Sequence, residues 1–380
     1  MGSKIENIVL IGNYIPDKQQ SMHRFLSMLE LNFKNQGLKV DVILPTVFFG
    51  KFSKNTNTGL GKYFGYFDKY LLFPLVLLLK KRKYNNSHSV FHICDHSNAI
   101  YISYLPQDRT IVTCHDVLAI RGAKGFKDAY CDASSMGMIL QNWILKSLQK
   151  TKKIAFVSQT TALQFDELCS EQKYNGHSEL VYNSLNGNFY PMEINHALNA
   201  LNNYPQLQTE PFILHVGSGL PRKNRKLLIE MLVILGPRWK GNVCFVGEEL
   251  DQDSLKLINE NQLSNRVVVI SSANHQILLS LYRLCSAFIF PSFSEGFGWP
   301  VIEAQACSAP VITSNIQPMP EIAGKDALCA NPHHPEEFAE AFLYLQDLKN
   351  RNLNIEQGLL NSKRFEMSSM INAYLNLYNA

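Results

Sequence analysis

The 380-residue sequence has no apolar run long enough to cross a lipid bilayer. Its longest apolar run, Leu71 to Leu79, is nine residues interrupted by Pro74, whereas a membrane-spanning helix needs about 20. The first residues also lack the hydrophobic stretch of a signal peptide. The sequence therefore predicts no transmembrane segment.

Paired cysteine motifs are absent as well. The eight cysteines are scattered, and no two of them form Cys-x-x-Cys, so neither a zinc knuckle nor a redox motif is indicated. Cys94 and Cys244 lie inside apolar runs and are interpreted as small core residues, which is typical of a reducing cytosol. We therefore expect a cytoplasmic protein.

The sequence also has only a small excess of positive over negative charge. The net charge is only +4, which excludes a nucleic-acid binder that works by bulk electrostatics. A small substrate that carries phosphate remains compatible with this weak positive balance.

What the sequence does contain is a series of short apolar runs alternating with helical patterns. The first half offers Ile8–Ile11, Val40–Leu44, Val90–Cys94, Ile111–Cys114, Ile154–Val157 and Leu180–Tyr182. The second half offers Phe212–Val216, Val243–Val246, Val267–Ile270, Ala287–Phe290, Val311–Thr313 and Ala327–Ala330. Strands that are apolar on both faces indicate parallel sheets covered by helices. The sequence therefore predicts an α/β protein with two doubly wound, Rossmann-like domains.

The domain boundaries follow from the polar stretch between the two series. Tyr190 to Gln208 is rich in Asn and Pro and is interpreted as a linker. We expect an N-terminal domain over 1–190, a second domain over 205–364 and a final helix over about 365–380. Because ligands bind beyond the carboxyl ends of parallel strands, the functional motifs should lie in strand-to-helix loops.

The strongest motif follows the predicted strand Ala287–Phe290. Glu295 lies in a glycine-containing loop, and Glu303 lies in the first turns of the helix that Pro300 opens. Two carboxylates suit pairs of vicinal hydroxyls, as on a sugar and a ribose, while Gly296 and Gly298 permit close approach of a ligand. The alternative is a solvated loop glutamate and a helix glutamate that interacts with the macrodipole.

A second motif, Gly217-Ser-Gly-Leu-Pro-Arg222-Lys223-Asn224, follows the strand Phe212–Val216. Two cations and a glycine-rich turn at a helix start form a cradle for a diphosphate. The alternative is a basic surface turn with Asn224 as the helix N-cap. A dinucleotide-binding motif is only weakly indicated, because Arg222 occupies the place of its third glycine.

Two loops of the first half carry further candidates. His115 and Asp116 end a predicted strand, where an imidazole can contact a reacting sugar or acceptor, although a strand-end His with an N-capping Asp explains the pair equally well. The loop after the first strand contributes Gly12 as a donor-side candidate and Asp17, Gln20 and Ser21 as acceptor-side candidates.

Taken together these motifs resemble those of family 4 glycosyltransferases, which have the GT-B fold. The resemblance covers nearly the whole chain and is carried by Phe-Pro-Ser-x-x-Glu295-Gly-Phe-Gly-x-x-x-x-Glu303-Ala. Further matches in the family order are Pro221–Asn224, His115-Asp116, Val157-Ser158, Val181–Asn183 and Pro320–Gly324. The GT-B fold implies two Rossmann-like domains facing across a cleft, with the C-terminal helix packing back on the first.

The resemblance also implies roles for individual residues. Glu295 and the Gly296–Gly298 amides would hold the donor sugar, Glu303 the ribose, and His115 would contact the transferred sugar. Arg222 and Lys223 would bind the diphosphate, and many members have an Arg where this chain has Ser218. The remaining donor-side positions are Gly12, Asn183, Gly217, Phe297 and Val301.

The implied reaction is a metal-independent hexosyl transfer that retains anomeric configuration. The donor would be GDP-mannose or a UDP-hexose, and the acceptor a glycan or lipid-linked chain of a bacterial surface polysaccharide. No metal or other cofactor is expected, and no nucleic-acid partner. Two rival functions are a nucleotide-sugar epimerase, which the intact pair of glutamates disfavours, and a catalytically silent module that binds nucleotide-sugars or a partner protein.

Three other features have their own interpretations. Asp251-Gln-Asp253 is interpreted as a helix cap and not as a metal-binding Asp-x-Asp, and His333-His334 as another helix start. Leu71 to Lys83 combines an apolar run with a basic cluster. It predicts either a core helix ending in cations or a peripheral membrane contact near a lipid-linked acceptor.

Overall fold

A computed structural model describes residues 5–53, 55–56, 59, 61–84, 88–170 and 173–380. The chain divides into two compact units. The first comprises Met1–Phe126, Asp132–Tyr182 and Met367–Ala380, and the second comprises Lys127–Cys131 and Asn183–Glu366.

The first unit is built on a six-stranded sheet in the order β2-β1-β3-β4-β5-β6, with every neighbouring pair parallel. Its strands are β1 (Asn7–Ile11), β2 (Lys39–Ile43), β3 (Ser89–Ile93), β4 (Thr110–Cys114), β5 (Lys153–Phe156) and β6 (His177–Leu180). Its first six helices are α1 (Gln20–Asn35), α2 (Gly61–Phe67), α3 (Phe73–Lys80), α4 (Leu118–Ala123), α5 (Ser135–Gln149) and α6 (Gln159–Leu168). A π-helical segment, Asp68–Leu72, joins α2 to α3, and 3-10 turns cover Ile15–Asp17, Phe49–Phe52, Lys81–Tyr84, His96–Tyr104 and Gln107–Arg109.

The central strands of this sheet follow the predicted runs because they are buried on both faces. All five residues of β3 and all five of β4 are buried. The edge strand β6 differs: it spans His177–Leu180 and not the predicted Leu180–Tyr182, and its side chains are mostly exposed. An edge strand with one open side has little need of apolar residues, so its hydrophobic signal is weak.

The π-helical segment is fixed by the buried side chain of Asp68. Its carboxylate accepts hydrogen bonds from the backbone N–H groups of Phe48, Phe49 and Gly50, at 2.9–3.0 Å. It also accepts one from the Tyr14 hydroxyl at 2.6 Å. Burial raises the pKa of the Asp68 carboxyl, but these hydrogen bonds outweigh burial and lower the pKa below its usual value. One carboxylate thus joins the loop after β1, the turn Phe49–Phe52 and the helix.

The second unit carries another parallel six-stranded sheet, in the order β12-β11-β10-β7-β8-β9. Its strands are β7 (Phe212–Val216), β8 (Asn242–Val246), β9 (Val267–Ile270), β10 (Ala287–Phe290), β11 (Val311–Ser314) and β12 (Leu328–Ala330). Its helices are α7 (Ile194–Ala200), α8 (Pro205–Thr209), α9 (Lys226–Leu235), α10 (Gln252–Glu260), α11 (His275–Leu284), α12 (Trp299–Ala306), α13 (Met319–Ala323), α14 (Pro335–Tyr344) and α15 (Leu348–Ser362). Its 3-10 turns cover Lys127–Ala129, Pro221–Lys223, Gly236–Arg238, Ser264–Arg266 and Lys363–Phe365.

This second sheet is covered on both faces. Phe212 and Leu214 of β7 belong to one hydrophobic cluster, whereas Ile213 between them belongs to another. Alternate side chains of a strand point to opposite faces of a sheet, so each face has its own core. The prediction of doubly wound α/β architecture in both halves is confirmed.

The predicted linker over residues 190–208 is wrong. This stretch lies in the second unit and forms α7 and α8, and Ala197, Leu201 and Leu207 are buried in its core. The stretch contains four asparagines and two prolines, so composition alone indicated a loop, although its apolar residues form the buried sides of two short helices.

The last helix, α16 (Met367–Asn379), belongs to the first unit, as expected. Tyr374 hydrogen bonds to Thr113 of β4 at 2.9 Å, and Tyr378 to the His92 ring of β3 at 2.7 Å. His92 also meets Thr113 at 2.7 Å, so all four buried polar side chains are paired. Burial lowers the pKa of His92 to about 3, and its imidazole is therefore neutral at physiological pH.

None of the helices formed by the described residues combines the length and apolar character required to cross a membrane.

The Asp68→Asn variant tests the anchoring role of this carboxylate. Asparagine keeps one acceptor oxygen but turns an NH2 group toward backbone N–H donors, so at least one buried donor loses its partner. We expect the free energy of unfolding to fall by about 3 kcal/mol in urea titrations. The matched Asp41→Asn variant, whose exposed carboxylate lies 3.6 Å from Lys83 Nζ, should change it by less than about 0.5 kcal/mol. Equal effects of the two substitutions would contradict this assignment.

Candidate active site

In the second unit two functional loops meet because their strands are neighbours. β7 lies between β8 and β10, so the chain leaves β7 and β10 at the point where the strand order reverses. Ligands bind in the crevice at this switch point in doubly wound sheets. The Phe293 N–H donates to the Arg222 carbonyl at 2.8 Å, which joins the loop after β10 to the loop after β7.

Asn224 strengthens this junction. Its backbone is left-handed, with φ 53°, and its amide donates to the carbonyls of Pro291 at 3.2 Å and Pro332 at 2.7 Å. Asn224 therefore connects the loops after β7, β10 and β12 through hydrogen bonds. The alternative that Asn224 is the N-cap of α9 is wrong, since Arg225 occupies that position.

The centre of the site is a buried cluster of three charges. One oxygen of Glu295 lies 2.6 Å from Lys223 Nζ, and the other lies 2.8 Å from Arg222 Nη1. The Arg222 guanidinium also donates to the Ser294 carbonyl at 2.9 Å. Glu295 is only 7% exposed, so these contacts are little screened by water. The structure thus brings together the three residues that the two motifs predicted as catalytic in this half.

The two cations control the ionisation of Glu295. Burial by itself raises the pKa of this carboxyl, but Lys223, Arg222 and their hydrogen bonds outweigh burial and lower the pKa to about 2. Glu295 is therefore a carboxylate at physiological pH. With one anion against two cations, the cluster has a net charge of +1 and an excess of N–H donors.

Gly217 lies where this cluster approaches the end of β7. A Cβ at this position would lie 3.1 Å from His215 Nε2 and 3.7 Å from Lys223 Cδ, so a larger residue would press on the buried His215 ring. His215 is fully buried, and burial lowers its pKa to about 3. Its Nδ1 lies 3.0 Å from the Ile289 carbonyl, which can only accept, so Nδ1 carries the proton and Nε2 is an acceptor beside Gly217.

The loop that carries Glu295 ends in a turn that requires glycine. Gly298 precedes α12 with φ 104°, and a Cβ there would lie 2.6 Å from the Met319 side chain. Gly296 directly follows Glu295, while Phe297 packs against Trp299 and Phe365. Phe297 and Val301 are buried, so their side chains support the loop.

Glu303 is held separately, in the first turns of α12. It is 5% exposed, and the Tyr282 hydroxyl donates to its Oε2 at 3.0 Å. Burial first, and then the charge of Glu303, raise the pKa of Tyr282 well above its usual value, so Tyr282 stays a donor. Tyr282 orients the carboxylate, and no motif around α11 marked it in the sequence.

Asn183 is fully buried in the second unit. Within the described part of the chain, neither atom of its amide group has a hydrogen-bond partner. A buried amide without partners is costly, which suits a position that meets a ligand.

The first unit repeats the switch-point construction at β1 and β3. Gly12 follows β1, and a Cβ there would clash with the ends of the Leu26 and Leu44 side chains, so a glycine lets α1 pack closely here. Asn13 donates to Asp95 after β3 at 2.5 Å, and His96 Nδ1 lies 3.1 Å from Asp95 Oδ1. Asn13, Asp95 and His96 were not predicted, although their positions after strands could have indicated them.

His115, after β4, lies beside this group. Its Nε2 is 3.0 Å from the Cys94 carbonyl, and its ring packs edge-on against Phe25 at 4.6 Å. Burial lowers the pKa of His115, so its neutral form is favoured. Asp116 accepts from the Leu118 N–H at 3.0 Å. The N-cap position of α4 is occupied by Val117, so the alternative interpretation of Asp116 as the N-cap is wrong.

Of the three residues predicted on the acceptor side, one lines a cavity and the other two do not line it. Asp17 pairs with Lys69 at 2.7 Å, and both line a cavity of about 200 Å³. Gln20 and Ser21 are exposed in the first turn of α1 and do not line this cavity. Its other polar walls come from Asn13, Gln19, Thr56, Lys62, Ser97, Asn98 and Gln141.

The two motifs interpreted as helix starts, Asp251-Gln-Asp253 and His333-His334, lie directly before or at the beginning of helices. Asp251 accepts from the Ser254 N–H at 2.8 Å and caps α10, which confirms the capping interpretation. His334 precedes α14 and pairs with Glu336 at 2.8 Å.

Two Rossmann-like sheets, with a basic loop and a buried glutamate at the switch point of the second, define an α/β protein of the GT-B fold. Residues 201–358 match the family model for glycosyl transferases group 1. Over that part of the chain the match agrees with the glycosyltransferase resemblance found in the sequence.

The curated relatives include bacterial mannosyltransferases. The chain is 28% identical to O-antigen chain mannosyltransferase B of Escherichia coli over 46% of this chain and 47% of that protein. It is 26% identical to the E. coli serotype-specific mannosyltransferase WbdA over 64% of this chain and 30% of that protein. The chain thus spans less than half the length of these two relatives.

Similar solved structures show the fold. Sucrose-phosphate synthase from Thermosynechococcus elongatus has a TM-score of 0.74 and 18% identity, over 98% of each chain. Anabaena HepE, in complex with UDP and glucose, has a TM-score of 0.68 and 14% identity, over 97% of this chain and 98% of that one.

The buried cluster predicts an acid-sensitive contribution to stability. Because folding lowers the pKa of Glu295 from 4.5 to about 2, its stabilisation is complete above pH ~4.5 and is lost as the pH falls toward 2. We expect the wild type to lose about 3 kcal/mol more than Glu295→Gln between pH 5 and pH 2 in urea unfolding. Glu260→Gln, at an exposed carboxylate, should follow the wild-type profile. A Glu295→Gln profile parallel to wild type would contradict the shifted ionisation.

Proposed function

We propose that this protein is a glycosyltransferase that moves a hexose from a nucleoside-diphosphate sugar to a glycan or lipid-linked acceptor in cell-surface polysaccharide synthesis. The family match of residues 201–358 and the mannosyltransferase relatives support glycosyl transfer in polysaccharide synthesis. The observation that carries the proposal for this chain is the buried contact of Glu295 with Arg222 and Lys223 at the switch point of the second sheet.

The charge of this cluster suits a donor with a diphosphate. Arg222 and Lys223 together carry one more charge than Glu295, so these three residues have a net positive charge that attracts a diphosphate. When the bond from the sugar to the diphosphate breaks, negative charge grows on the leaving oxygen. Fixed cations near that oxygen stabilise it more than they stabilise the ground state, which is the main electrostatic route to rate enhancement.

Glu295 then has two roles in the proposal. It positions both cations, and its oxygens can accept hydrogen bonds from sugar hydroxyls when a donor binds. Glu303, oriented by Tyr282, would accept from the ribose hydroxyls. The unpaired amide of Asn183 and the Nε2 acceptor of His215 are further groups available to donor hydroxyls.

We propose GDP-mannose as the first donor to test. The support is that several relatives are named mannosyltransferases. UDP-hexoses are the second choice, because the HepE structure contains UDP and glucose.

The proposed reaction retains anomeric configuration and needs no metal. The bond between the sugar C1 and the diphosphate oxygen breaks, the acceptor hydroxyl forms a bond to C1 from the same face, and its proton passes to a phosphate oxygen. Arg222 and Lys223 take the place of a metal in balancing the leaving-group charge. Neutral His115 would contact the transferred sugar as a hydrogen-bonding group and not as a cation.

The proposed location is the cytoplasm, where nucleotide-sugars are made. All eight cysteines are free thiols, and six of them are buried, which fits a reducing compartment.

Donor binding tests the site directly. We expect one nucleotide family among GDP, UDP, ADP and dTDP sugars to raise the Tm of the wild type in thermal-shift assays, with the shift preserved in EDTA. Glu303→Gln keeps an acceptor for Tyr282 but loses a charged acceptor for ribose, and should weaken binding about 10-fold or more. Glu260→Gln should bind like wild type. A shift abolished by EDTA would contradict metal independence, and no shift from any donor would favour a silent module.

A kinetic variant tests the role of His115. We expect His115→Asn to lower kcat by about 100-fold with an acceptor oligosaccharide, while the donor KM changes little, because the contact strengthens as charge develops on the sugar. His177→Asn, at an exposed site in the same unit, should match wild type. The anomeric configuration of the product, read by NMR, tests retention. An unchanged kcat, or an inverted product, would contradict this mechanism.

A further inference from the structure

The helix that begins with α2 and ends with α3 exposes a continuous apolar stripe. Tyr63, Phe67, Leu71, Leu75 and Leu79 recur at every fourth residue and are all exposed; we refer to these five as the leucine face. The three leucines are 57–66% exposed, whereas Phe73 and Leu77 on the other side are buried in the core. One side of this helix thus lies in the core, as the core-helix interpretation of Leu71 to Lys83 predicted, whereas the other side is exposed.

The leucine face is extended by neighbouring side chains. Phe49 contacts Phe67 at 5.8 Å and Phe48 at 5.0 Å between ring centroids, and both Phe48 and Phe52 are exposed. Asp68 fixes this turn against the helix through the N–H groups of Phe48, Phe49 and Gly50. These apolar side chains are thus presented on ordered backbone.

Helix α5 also exposes apolar side chains. The Trp143 ring lies 5.7 Å from the Tyr70 ring, and Met136, Ile139 and Trp143 are exposed on this helix. A stripe of five exposed large apolar side chains, extended by Phe48 and Phe52, is unusual for a protein surface and marks an interaction site.

Cations border the leucine face at one end. Lys80, Lys81, Arg82 and Lys83 follow α3 directly and form the basic cluster. Lys80, Arg82 and Lys83 are exposed. Lys83 Nζ lies 3.6 Å from a carboxylate oxygen of the partly exposed Asp41. Apolar residues next to adjacent lysines and arginines complement the two layers of an anionic membrane surface, acyl chains and phosphate headgroups.

We propose that the leucine face and the basic cluster dock the first unit onto an anionic lipid bilayer. The helix would lie in the plane of the interface, with its leucines among the acyl chains and the basic cluster among phosphate headgroups. A peptide partner would satisfy the leucines but would not require four adjacent cations. The charge pattern therefore favours lipid over protein as the occupant.

This docking has a consequence that rests on the proposed function. The same helical segment carries Lys69, which turns inward and pairs with Asp17 in the 200 Å³ cavity. A helix that touches lipid on one side and lines the acceptor-side cavity on the other would bring a lipid-linked acceptor to that cavity.

Vesicle sedimentation with the full chain tests the docking. We expect the wild type to bind vesicles of phosphatidylcholine mixed with phosphatidylglycerol more tightly than vesicles of phosphatidylcholine alone. The triple variant Leu71→Gln/Leu75→Gln/Leu79→Gln should bind on the order of 100-fold more weakly. The variant Lys80→Gln/Arg82→Gln/Lys83→Gln should bind on the order of 100-fold more weakly to the vesicles that contain phosphatidylglycerol. This loss should be confined to those vesicles.

Matched controls come from the second unit. Leu348→Gln/Leu353→Gln/Leu360→Gln removes three exposed leucines from α15, and Lys240→Gln/Lys256→Gln/Lys349→Gln removes three exposed lysines. Both controls should sediment with vesicles like the wild type. All four variants should keep the wild-type Tm and donor response, which separates failed docking from failure of the proposed function.

Three outcomes would overturn the proposal. They are no binding of the wild type to either vesicle, equal loss of binding in the control and test variants, and a wild-type dimer that the leucine variant dissociates without change in vesicle binding. The last result, read by analytical ultracentrifugation, would make the leucine face a contact between two copies of this chain.

Discussion

The buried ion cluster of Glu295, Arg222 and Lys223 is the interaction on which the second unit's site depends. Each charge would be costly to bury alone, and the cluster is tolerable only because every carboxylate oxygen meets a cation within 2.8 Å. This requires the loops after β7 and β10 to be held together, which Asn224 and the Phe293 N–H accomplish. The glycines of both loops are then consequences of close packing.

The two units share one sheet construction but differ in the charge of the side chains at its switch point. Each has a parallel sheet whose strand order reverses, with functional side chains after the two strands at that point. In the second unit the excess charge is positive, which suits phosphate. In the first unit Asn13, Asp95 and neutral His115 provide acceptors and donors without excess positive charge, which suits sugar hydroxyls. The two units therefore differ in the charge of these side chains and not in the topology of their sheets.

The first unit also shows how one buried residue can organise a surface. Asp68 lies at the π-helical segment, where the helix changes its hydrogen-bond pattern, and its carboxylate gathers three N–H groups of the preceding turn. The exposed aromatic side chains of that turn are thereby set beside the leucine face. An internal hydrogen-bond requirement thus determines which apolar groups stand together on the outside.

The sequence by itself determined the fold class, the buried strands and the two motifs around Glu295 and Lys223, because buried parallel strands and glycine-containing loops leave local patterns. The exposed edge strand β6 left no such pattern. Tertiary structure alone decided what these residues touch. Glu295 and Lys223 are 72 residues apart, and they meet only because β7 and β10 are adjacent. Tyr282, His215 and Asp68 escaped prediction for the same reason, since a hydrogen bond between distant segments leaves no periodic signal. The helices within 190–208 and the exposure of the leucine face were likewise fixed by which neighbouring elements cover each apolar side chain.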